Sequence, residues 1–324
     1  MSDASELKPF HILALDGGGV KGLATAAILA RLEEDLDAKI IDHFDLIAGT
    51  STGGIIAIGL GLGMRPADIL NFYVEKGPHI FHNPGKVRNP LQWFWRKYPR
   101  ANLEQALREV FGEKLLGDSL KPLIIPSYDL DSEQVYLFKT PHHRRLNRDW
   151  KTPAWQVALA TSAAPTFFAA YTGVDSVRLI DGGVWANNPV IVAITEAVSM
   201  FGIPLQNIRV LSIGTTRPTV IRPGRLNGGG RLVWAAAAVD VIMKAQSFSA
   251  NTQAVHLLGK DRVHRLDSVV SDRLFGMDKF NKRQMMSWAS TTSRDFSPHF
   301  KDYFQPHLAG EYISLQPQKV EVTA

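Results

Sequence analysis

The chain has 324 residues and no cysteine, which excludes disulfides, thiolate catalysis and cysteine-ligated metal sites. With 45% hydrophobic and 21% charged residues it can bury a substantial core, as one large domain or two modest ones. The net charge of +5 favours anionic partners such as phospholipid headgroups, nucleic acids and nucleotides.

Membrane-spanning and secretory segments are not predicted. No run of 18 apolar residues is present, so we expect no membrane-spanning helix. Residues 1–6 are polar and acidic and lack the basic and apolar regions of a signal peptide. We therefore expect a cytoplasmic protein.

The first predicted element is a strand over residues 10–15, followed by the glycine loop DGGGVKG over 16–22. Apolar residues then recur at helical spacing, which predicts a helix over 20–36. Three adjacent glycines leave backbone N–H groups uncovered, so an anion can approach them closely. The loop is therefore a candidate anion site.

Two kinds of anion fit such a loop. It can hold the pyrophosphate of a dinucleotide, or it can stabilise the oxyanion of a tetrahedral acyl intermediate. A dinucleotide site expects an acidic residue that closes the second strand, whereas Asp42 and Asp45 precede that strand here. We therefore favour an oxyanion hole formed by the amides of Gly17, Gly18 and Gly19.

A second strand–turn–helix unit contains the motif GTSTG over residues 49–53. The strand is predicted over 43–48 and the helix over 53–62. A serine on a tight turn between strand and helix is exposed as a nucleophile in several hydrolase folds. The helix that begins after Ser51 directs free N–H groups and a positive dipole end towards negative charge that forms there. A tight turn without chemistry is the alternative.

Two segments further on combine basic and aromatic residues. Residues 90–100 place four aromatic side chains beside three basic ones, which suits either a bilayer interface or an internal cap over the core. Residues 142–151 form the densest basic run and are expected in a loop. This loop is either a solvated connection or a contact for lipid headgroups or an anionic regulator.

The third motif is Asp181-Gly182-Gly183, which closes a short strand predicted over 177–180. An aspartate at a strand end beside glycines has room to face a cleft, although Asp-Gly is also a common turn pair.

A connection over 219–230 and a long apolar helix over 231–258 follow later. The apolar positions of this helix extend most of the way round, which favours a core or subunit contact over membrane binding.

Strands and helices alternate along the chain, which predicts a three-layer α/β fold with a mostly parallel sheet covered by helices on both faces. Catalytic groups then lie at the carboxyl ends of the strands. The remaining predicted strands are 121–128, 133–139 and 208–213, and the remaining helices are 66–76, 102–111, 153–162 and 189–201.

Together the three motifs resemble the patatin-like phospholipase family, whose signature joins DGGG-x-[KR]-G, G-x-S-x-G and a late D-G-[AG]. They occur in the family's order within residues 8–215. The resemblance implies a patatin-like fold and a serine acyl hydrolase with a Ser51–Asp181 dyad. Residues 8–215 would form the catalytic core, and 216–324 a C-terminal helical extension packed on the same domain.

The opening sequence ILALDGGGVKG is similar to bacterial members of the family, among them the CapV-type effectors of antiphage signalling. Those proteins degrade membrane phospholipids after they bind a cyclic dinucleotide. The resemblance implies candidate sensing segments beyond residue 215 and at 79–100 and 140–152.

The dyad also agrees with elementary chemistry. A serine hydroxyl needs a base to accept its proton, and a carboxylate in a low-dielectric cleft is a better base than one in water. Lys21 either adds positive potential at the oxyanion loop or is a solvated residue at a helix start. A Ser–Asp–His order would need a later histidine, and none of the candidates has a supporting motif: His256, His264, His299 and His307.

We therefore predict a phospholipase A-type lipid acyl hydrolase that needs no metal or other cofactor. It would act peripherally on the inner membrane, with the phospholipid surface as substrate, a cyclic dinucleotide as candidate activator and a homo-oligomer as candidate assembly. No motif for duplex nucleic acid is found. The alternatives are a thioesterase or general esterase on the same dyad, and a nucleotide-binding sensor with little turnover.

Overall fold

A computed structural model describes residues 8–81, 98–215, 217–219, 224–230, 234, 238–267, 269–271 and 282–316. In the aromatic and basic segment 90–100, residues 90–97 lie outside the described residues. The connection 219–230 is described only at 219 and 224–230. Of the first part of the long apolar helix, 231–237, only residue 234 is described.

A central sheet and a separate two-stranded pair contain the strands of the described residues. The strands are β1 Phe10–Leu15, β2 Leu46–Gly49, β3 Leu123–Asp129, β4 Gln134–Lys139, β5 Leu179–Asp181, β6 Ile208–Ile213, β7 Arg217–Thr219, β8 Val263–Leu266 and β9 Val269–Ser271. The central sheet has seven strands in the order β4-β3-β2-β1-β6-β8, with β5 paired to β3. β1 runs parallel to β2 and β6, and β8 runs parallel to β6, whereas β4 and β5 pair with β3 in antiparallel fashion. The separate parallel pair joins β7 and β9.

Helices cover both faces of the sheet. The described helices are α1 Gly22–Leu36, α2 Thr52–Gly61, α3 Pro66–Ile80, α4 Arg100–Phe111, α5 Ala154–Thr161, α6 Gly183–Ala186, α7 Val190–Ser199, α8 Ala238–Leu258 and α9 Lys282–Tyr303. The residues of β1 illustrate the two layers: Leu13 and Leu15 belong to the core beneath α1 and α2, whereas Ile12 and Ala14 belong to the core beneath α7 and α8. The three-layer α/β prediction is therefore confirmed.

Three elements after residue 258 were not predicted from the sequence: β8, β9 and α9. β8 is a four-residue strand whose pairing with β6 extends the main sheet, and its local sequence VHRL has no clear strand pattern. α9 packs along α1 and buries residues at helical spacing, including Met285, Ala289 and Phe300. None of the described helices is long and apolar enough to span a bilayer.

Candidate active site

Ser51 occupies a strained turn between β2 and α2. Its φ of 56° and ψ of −125° lie in a region that a non-glycine residue rarely adopts. The Ser51 N–H donates to Thr161 Oγ1 at 2.9 Å, and the Thr161 hydroxyl donates to the Pro126 carbonyl at 2.6 Å. These two hydrogen bonds fix the turn against β3 and hold the serine at the carboxyl end of the sheet.

The glycines on either side of Ser51 are required by close backbone packing. A Cβ on Gly49 would lie 2.2 Å from the Gly53 carbonyl oxygen, and a Cβ on Gly53 would lie 2.3 Å from that of Leu15. Neither obstacle is a flexible side chain, so any other residue would force the strand and helix apart. The G-x-S-x-G spacing therefore follows from the geometry of the turn.

Asp181, the last residue of β5, is buried beside Ser51. Pairing of β5 with β3 places Asp181 opposite Ser127, next to the Pro126 carbonyl that receives the Thr161 hydroxyl. Asp181 is 1% exposed, and its Oδ1 accepts a hydrogen bond of 2.7 Å from the Gly183 N–H. The pairing of β5 thus brings together two residues that are far apart along the chain.

The environment of Asp181 favours its protonated form. Burial raises the pKa of Asp181 to about 6, and hydrogen bonds from the Ser51 hydroxyl and the Gly183 N–H oppose this rise in part. The Ser51 hydroxyl lies close enough to lower this pKa, but Oδ2 of Asp181 accepts no hydrogen bond of good geometry from the described residues. A carboxylate of this kind can exchange a proton with the adjacent hydroxyl near neutral pH.

The three loop glycines lie beside Ser51, but their amides differ in what they bind. The Gly17 N–H donates to the Asn187 carbonyl at 3.0 Å, and the Gly18 N–H donates to Thr52 Oγ1 at 3.2 Å. The Gly19 N–H donates no hydrogen bond within the described part of the chain, and Gly19 has a φ of 61°. Within the described residues only the Gly19 amide is unoccupied, because Asn187 and Thr52 accept from the other two, and the oxyanion hole over residues 17–19 stays a prediction.

Arg265 on β8 anchors the start of the glycine loop. Its guanidinium donates to both carboxylate oxygens of Asp16 at 2.6 Å, and also to Ser212 Oγ at 2.7 Å and Asp267 Oδ2 at 3.1 Å. Asp16 is 3% exposed, and burial raises the pKa of its carboxyl to about 6 against the attraction of Arg265. Sequence reasoning missed Arg265 because no local pattern marks it.

An apolar pocket opens next to the serine. Ser51, Thr52 and Gly19 form its polar end, and the rest of its lining is almost entirely hydrophobic. The pocket has a volume of about 30 Å³, so it matches an acyl chain by its apolar lining next to Ser51 and not by its present size. The hydrophobic lining consists of Ile55, Phe72, Tyr73, Ile80, Phe81, Leu103, Ala164, Phe167 and Phe168.

The late histidines lie away from this site. His264 packs against His299 with ring centroids 4.3 Å apart, and His307 Nε2 hydrogen-bonds Asp45 at 2.8 Å. Asp45 precedes β2, so His307 lies at the edge of the sheet opposite Ser51. His256 is exposed on α8, and no described histidine hydrogen-bonds Ser51 or Asp181.

Lys21 is 5% exposed, so it is not a solvated residue at a helix start.

Comparisons of the chain with a family model, with related sequences and with solved structures indicate the same family or fold. A family model described as patatin-like phospholipase matches residues 13–194. The chain is 34% identical over 268 residues to the cGAMP-activated phospholipase of Pseudomonas aeruginosa, covering 82% of this chain and 80% of that protein. It is 35% identical over 231 residues to the cGAMP-activated phospholipase of Escherichia coli, covering 66% of this chain and 65% of that protein. VipD from Legionella pneumophila shares the fold, with a TM-score of 0.50 and 14% identity over 92% of this chain and 67% of that one.

Proposed function

Because the chain belongs to the patatin-like phospholipase family of hydrolases, we propose that it releases fatty acids from membrane phospholipids through a Ser51–Asp181 dyad. One observation carries the proposal: the hydroxyl of a serine on a strained turn contacts a buried carboxyl whose pKa is raised to about 6. A nucleophile needs a base within reach, and this carboxyl is the base that the site provides.

Acylation follows from these positions. Asp181 accepts the Ser51 proton as Oγ attacks the ester carbonyl, and the carbonyl π electrons move to its oxygen to give a tetrahedral intermediate. When the intermediate collapses, the alcohol leaves with the proton from Asp181, and the acyl group remains on Ser51. In deacylation water attacks the acyl carbonyl and gives a proton to Asp181, and that proton returns to Ser51 Oγ when the intermediate collapses and the fatty acid is released.

Gly19 is assigned as the principal oxyanion donor. Its free amide lies at the polar end of the apolar pocket together with Ser51, and the first turn of α2 adds its dipole there. The Gly18 N–H would join it by exchanging its long bond to Thr52 Oγ1 for the oxyanion. Gly17 has a steric role, because a Cβ there would lie 2.6 Å from Asn187 Oδ1.

The substrate and its regulation are proposed from the pocket and from the relatives. The apolar pocket would have to widen to hold the acyl chain, and the positive net charge would attract the enzyme to the anionic inner face of the cell membrane. Because two relatives are named cGAMP-activated phospholipases, we expect a cyclic dinucleotide to raise the rate of hydrolysis.

The test is fatty-acid release from vesicles of bacterial phospholipid, with and without cGAMP. We expect Ser51→Ala and Asp181→Asn to abolish release, and Ser51→Ala to abolish labelling by a fluorophosphonate probe. The exposed residues Ser199 and Asp302 supply matched controls, since Ser199→Ala and Asp302→Asn make the same chemical changes outside the site. Circular dichroism would check that each variant is folded.

Full release by either folded dyad variant would contradict the mechanism. Rapid hydrolysis of short soluble esters or acyl thioesters, with none of vesicles, would instead identify a general esterase or thioesterase. Absence of both labelling and hydrolysis, with cGAMP still bound, would identify a sensor with little turnover.

A further inference from the structure

A second cavity lies on the other side of the glycine loop from the apolar pocket. It has a volume of about 420 Å³ and is bounded by Asp16, Gly17 and Gly18 on one side and by α8 on the other. The mechanism proposed above uses none of the α8 residues in its wall.

The wall formed by α8 carries an aromatic ring and a cation near solvent. Phe248 is 64% exposed, and the Lys244 side chain is 36% exposed. A nucleotide presents a flat base, which stacks on an aromatic ring, and a phosphate, which pairs with a cation. Both recognition groups therefore occur on the same helix at the same cavity.

Unsatisfied amide oxygens in the cavity wall add a third feature. Asn187 Oδ1 and Asn251 Oδ1 are buried and accept no hydrogen bond from the described residues. Buried acceptors without donors are costly, so a small rotation of either amide that exposes its oxygen to a ligand N–H would be favourable. The exocyclic amines of adenine and guanine are donors of this kind.

The cavity is connected to the catalytic loops by hydrogen bonds. Two hydrogen bonds join the segment after Asp181 to α8. Asn187 Nδ2 donates to Ser247 Oγ at 2.8 Å, and the Asn188 N–H donates to Gln246 Oε1 at 2.9 Å. The Asn187 carbonyl in turn accepts the Gly17 N–H. A ligand between α8 and the glycine loop would therefore act on the loop through its own contacts and through Asn187.

We infer that this cavity binds the cyclic dinucleotide activator, with a base on Phe248 and a phosphate at Lys244. The inference rests on the proposed function, which supplies the ligand, and adds where the ligand binds. The cavity wall contains carboxylates as well as cations. The carboxylates of Asp16 and Asp267 already accept hydrogen bonds from Arg265. Asp240 pairs with Lys244 at 3.0 Å, so the phosphate would compete with Asp240 for the ammonium group.

The basic segment 142–151 is a weaker candidate for the same ligand. Arg148 is paired with Asp149 and lies 5.0 Å from the Tyr136 ring, and the depressions around it do not include the glycine loop. A phosphate held there would lack a direct contact with the catalytic loops.

Calorimetric titration of cGAMP into the Ser51→Ala protein measures binding without turnover. We expect Lys244→Gln and Phe248→Ala each to weaken binding about tenfold or more, and Asp240→Asn to tighten it by removing the competing carboxylate. With Ser51 intact, the first two should retain basal lipid hydrolysis and lose its activation. Matched controls are Lys76→Gln, from an exposed Lys–Glu pair, and Leu257→Ala, an exposed apolar residue on α8.

The outcomes separate this site from the proposed function. The assigned site is wrong if cGAMP binds and activates but the cavity variants behave as the controls do. It is also wrong if Arg148→Gln alone abolishes activation. In both cases the proposed regulation by cGAMP stands. If the chain hydrolyses lipid but does not bind cGAMP, both the site and the regulation are wrong and the dyad stands. Binding of glycerol 3-phosphate in place of cGAMP would make the cavity a headgroup site and overturn the inference.

Discussion

Arg265 holds Asp16 through two hydrogen bonds of 2.6 Å, although 249 residues separate them along the chain. Asp16 begins the glycine loop, and Arg265 lies on β8, the edge strand of the main sheet. The pair is almost fully buried, with side chains 14% and 3% exposed. The position of the glycine loop therefore depends on a strand that joins the sheet late in the sequence.

We expect Arg265→Gln to lower kcat about 10- to 100-fold at nearly unchanged KM, because the loop that positions Gly19 loses its anchor. The same change should cost roughly 3–5 kcal/mol of unfolding free energy, since it leaves Asp16 buried without its partner. Steady-state kinetics and urea unfolding measure the two effects.

Arg178 offers a matched control, because it pairs with Asp131 at the surface with side chains 57% and 41% exposed. Arg178→Gln should cost less than about 1 kcal/mol and leave kcat unchanged. Partial recovery of kcat in Arg265→Lys would support a positioning role. Equal effects of Arg265→Gln and Arg178→Gln would contradict it.

The pH dependence of hydrolysis should follow the Asp181 carboxyl. Only the ionised carboxylate can accept the Ser51 proton, so kcat/KM should rise with pH and level off above the pKa of about 6. A slope near one in log kcat/KM below pH 6 indicates a single group. A slope near two would indicate that protonation of Asp16, whose pKa is also raised to about 6, adds to the loss. A profile that is flat between pH 5 and 8 would exclude Asp181 as the base.

The same raised pKa predicts that Asp181 destabilises the folded enzyme at neutral pH. The folded chain binds the Asp181 proton more tightly than the unfolded chain, whose carboxyl has a pKa near 3.8, so ionisation costs stability as the pH rises from about 4 to above 6. Asp181→Asn keeps an Oδ1 acceptor for Gly183 and removes the charge. It should be more stable than the wild type by roughly 1–3 kcal/mol at pH 8 and about equal to it at pH 4. Lower stability of the variant at pH 8 would show that the buried charge costs less than the contacts that the carboxylate makes.

Thr161 should be essential for the strained turn at Ser51. Thr161→Val leaves the Ser51 N–H without its acceptor and the Pro126 carbonyl without its donor, which should cost roughly 2–4 kcal/mol and lower kcat. Thr161→Ser should restore both. Thr25 is an equally buried threonine whose hydroxyl has no partner among the described residues, so Thr25→Val should be neutral or stabilising in thermal and urea unfolding. Similar losses in both valine variants would assign the effect to burial alone.

The parts of the site that could be predicted from sequence are those set by local backbone geometry. Gly49 and Gly53 are required by a tight turn, and Asp181 closes a strand, so short motifs reveal them. Arg265 and the occupied amide of Gly17 depend on contacts between distant segments, which no local pattern records. The buried positions of α9, by contrast, recur at three- and four-residue spacing, and this signal was present in the sequence.

The packing of α9 predicts that the chain after residue 215 unfolds together with the catalytic core. Phe300 is fully buried against the rings of His43 and Phe44, which lie just before β2. Phe300→Ala should therefore cost roughly 3–5 kcal/mol and shift one cooperative transition, whether it is followed by helix signal or by fatty-acid release. The exposed Phe248 gives the matched control, since Phe248→Ala removes the same ring with little change in stability. Two separate transitions, with activity surviving the first, would show instead that the C-terminal part folds as its own unit.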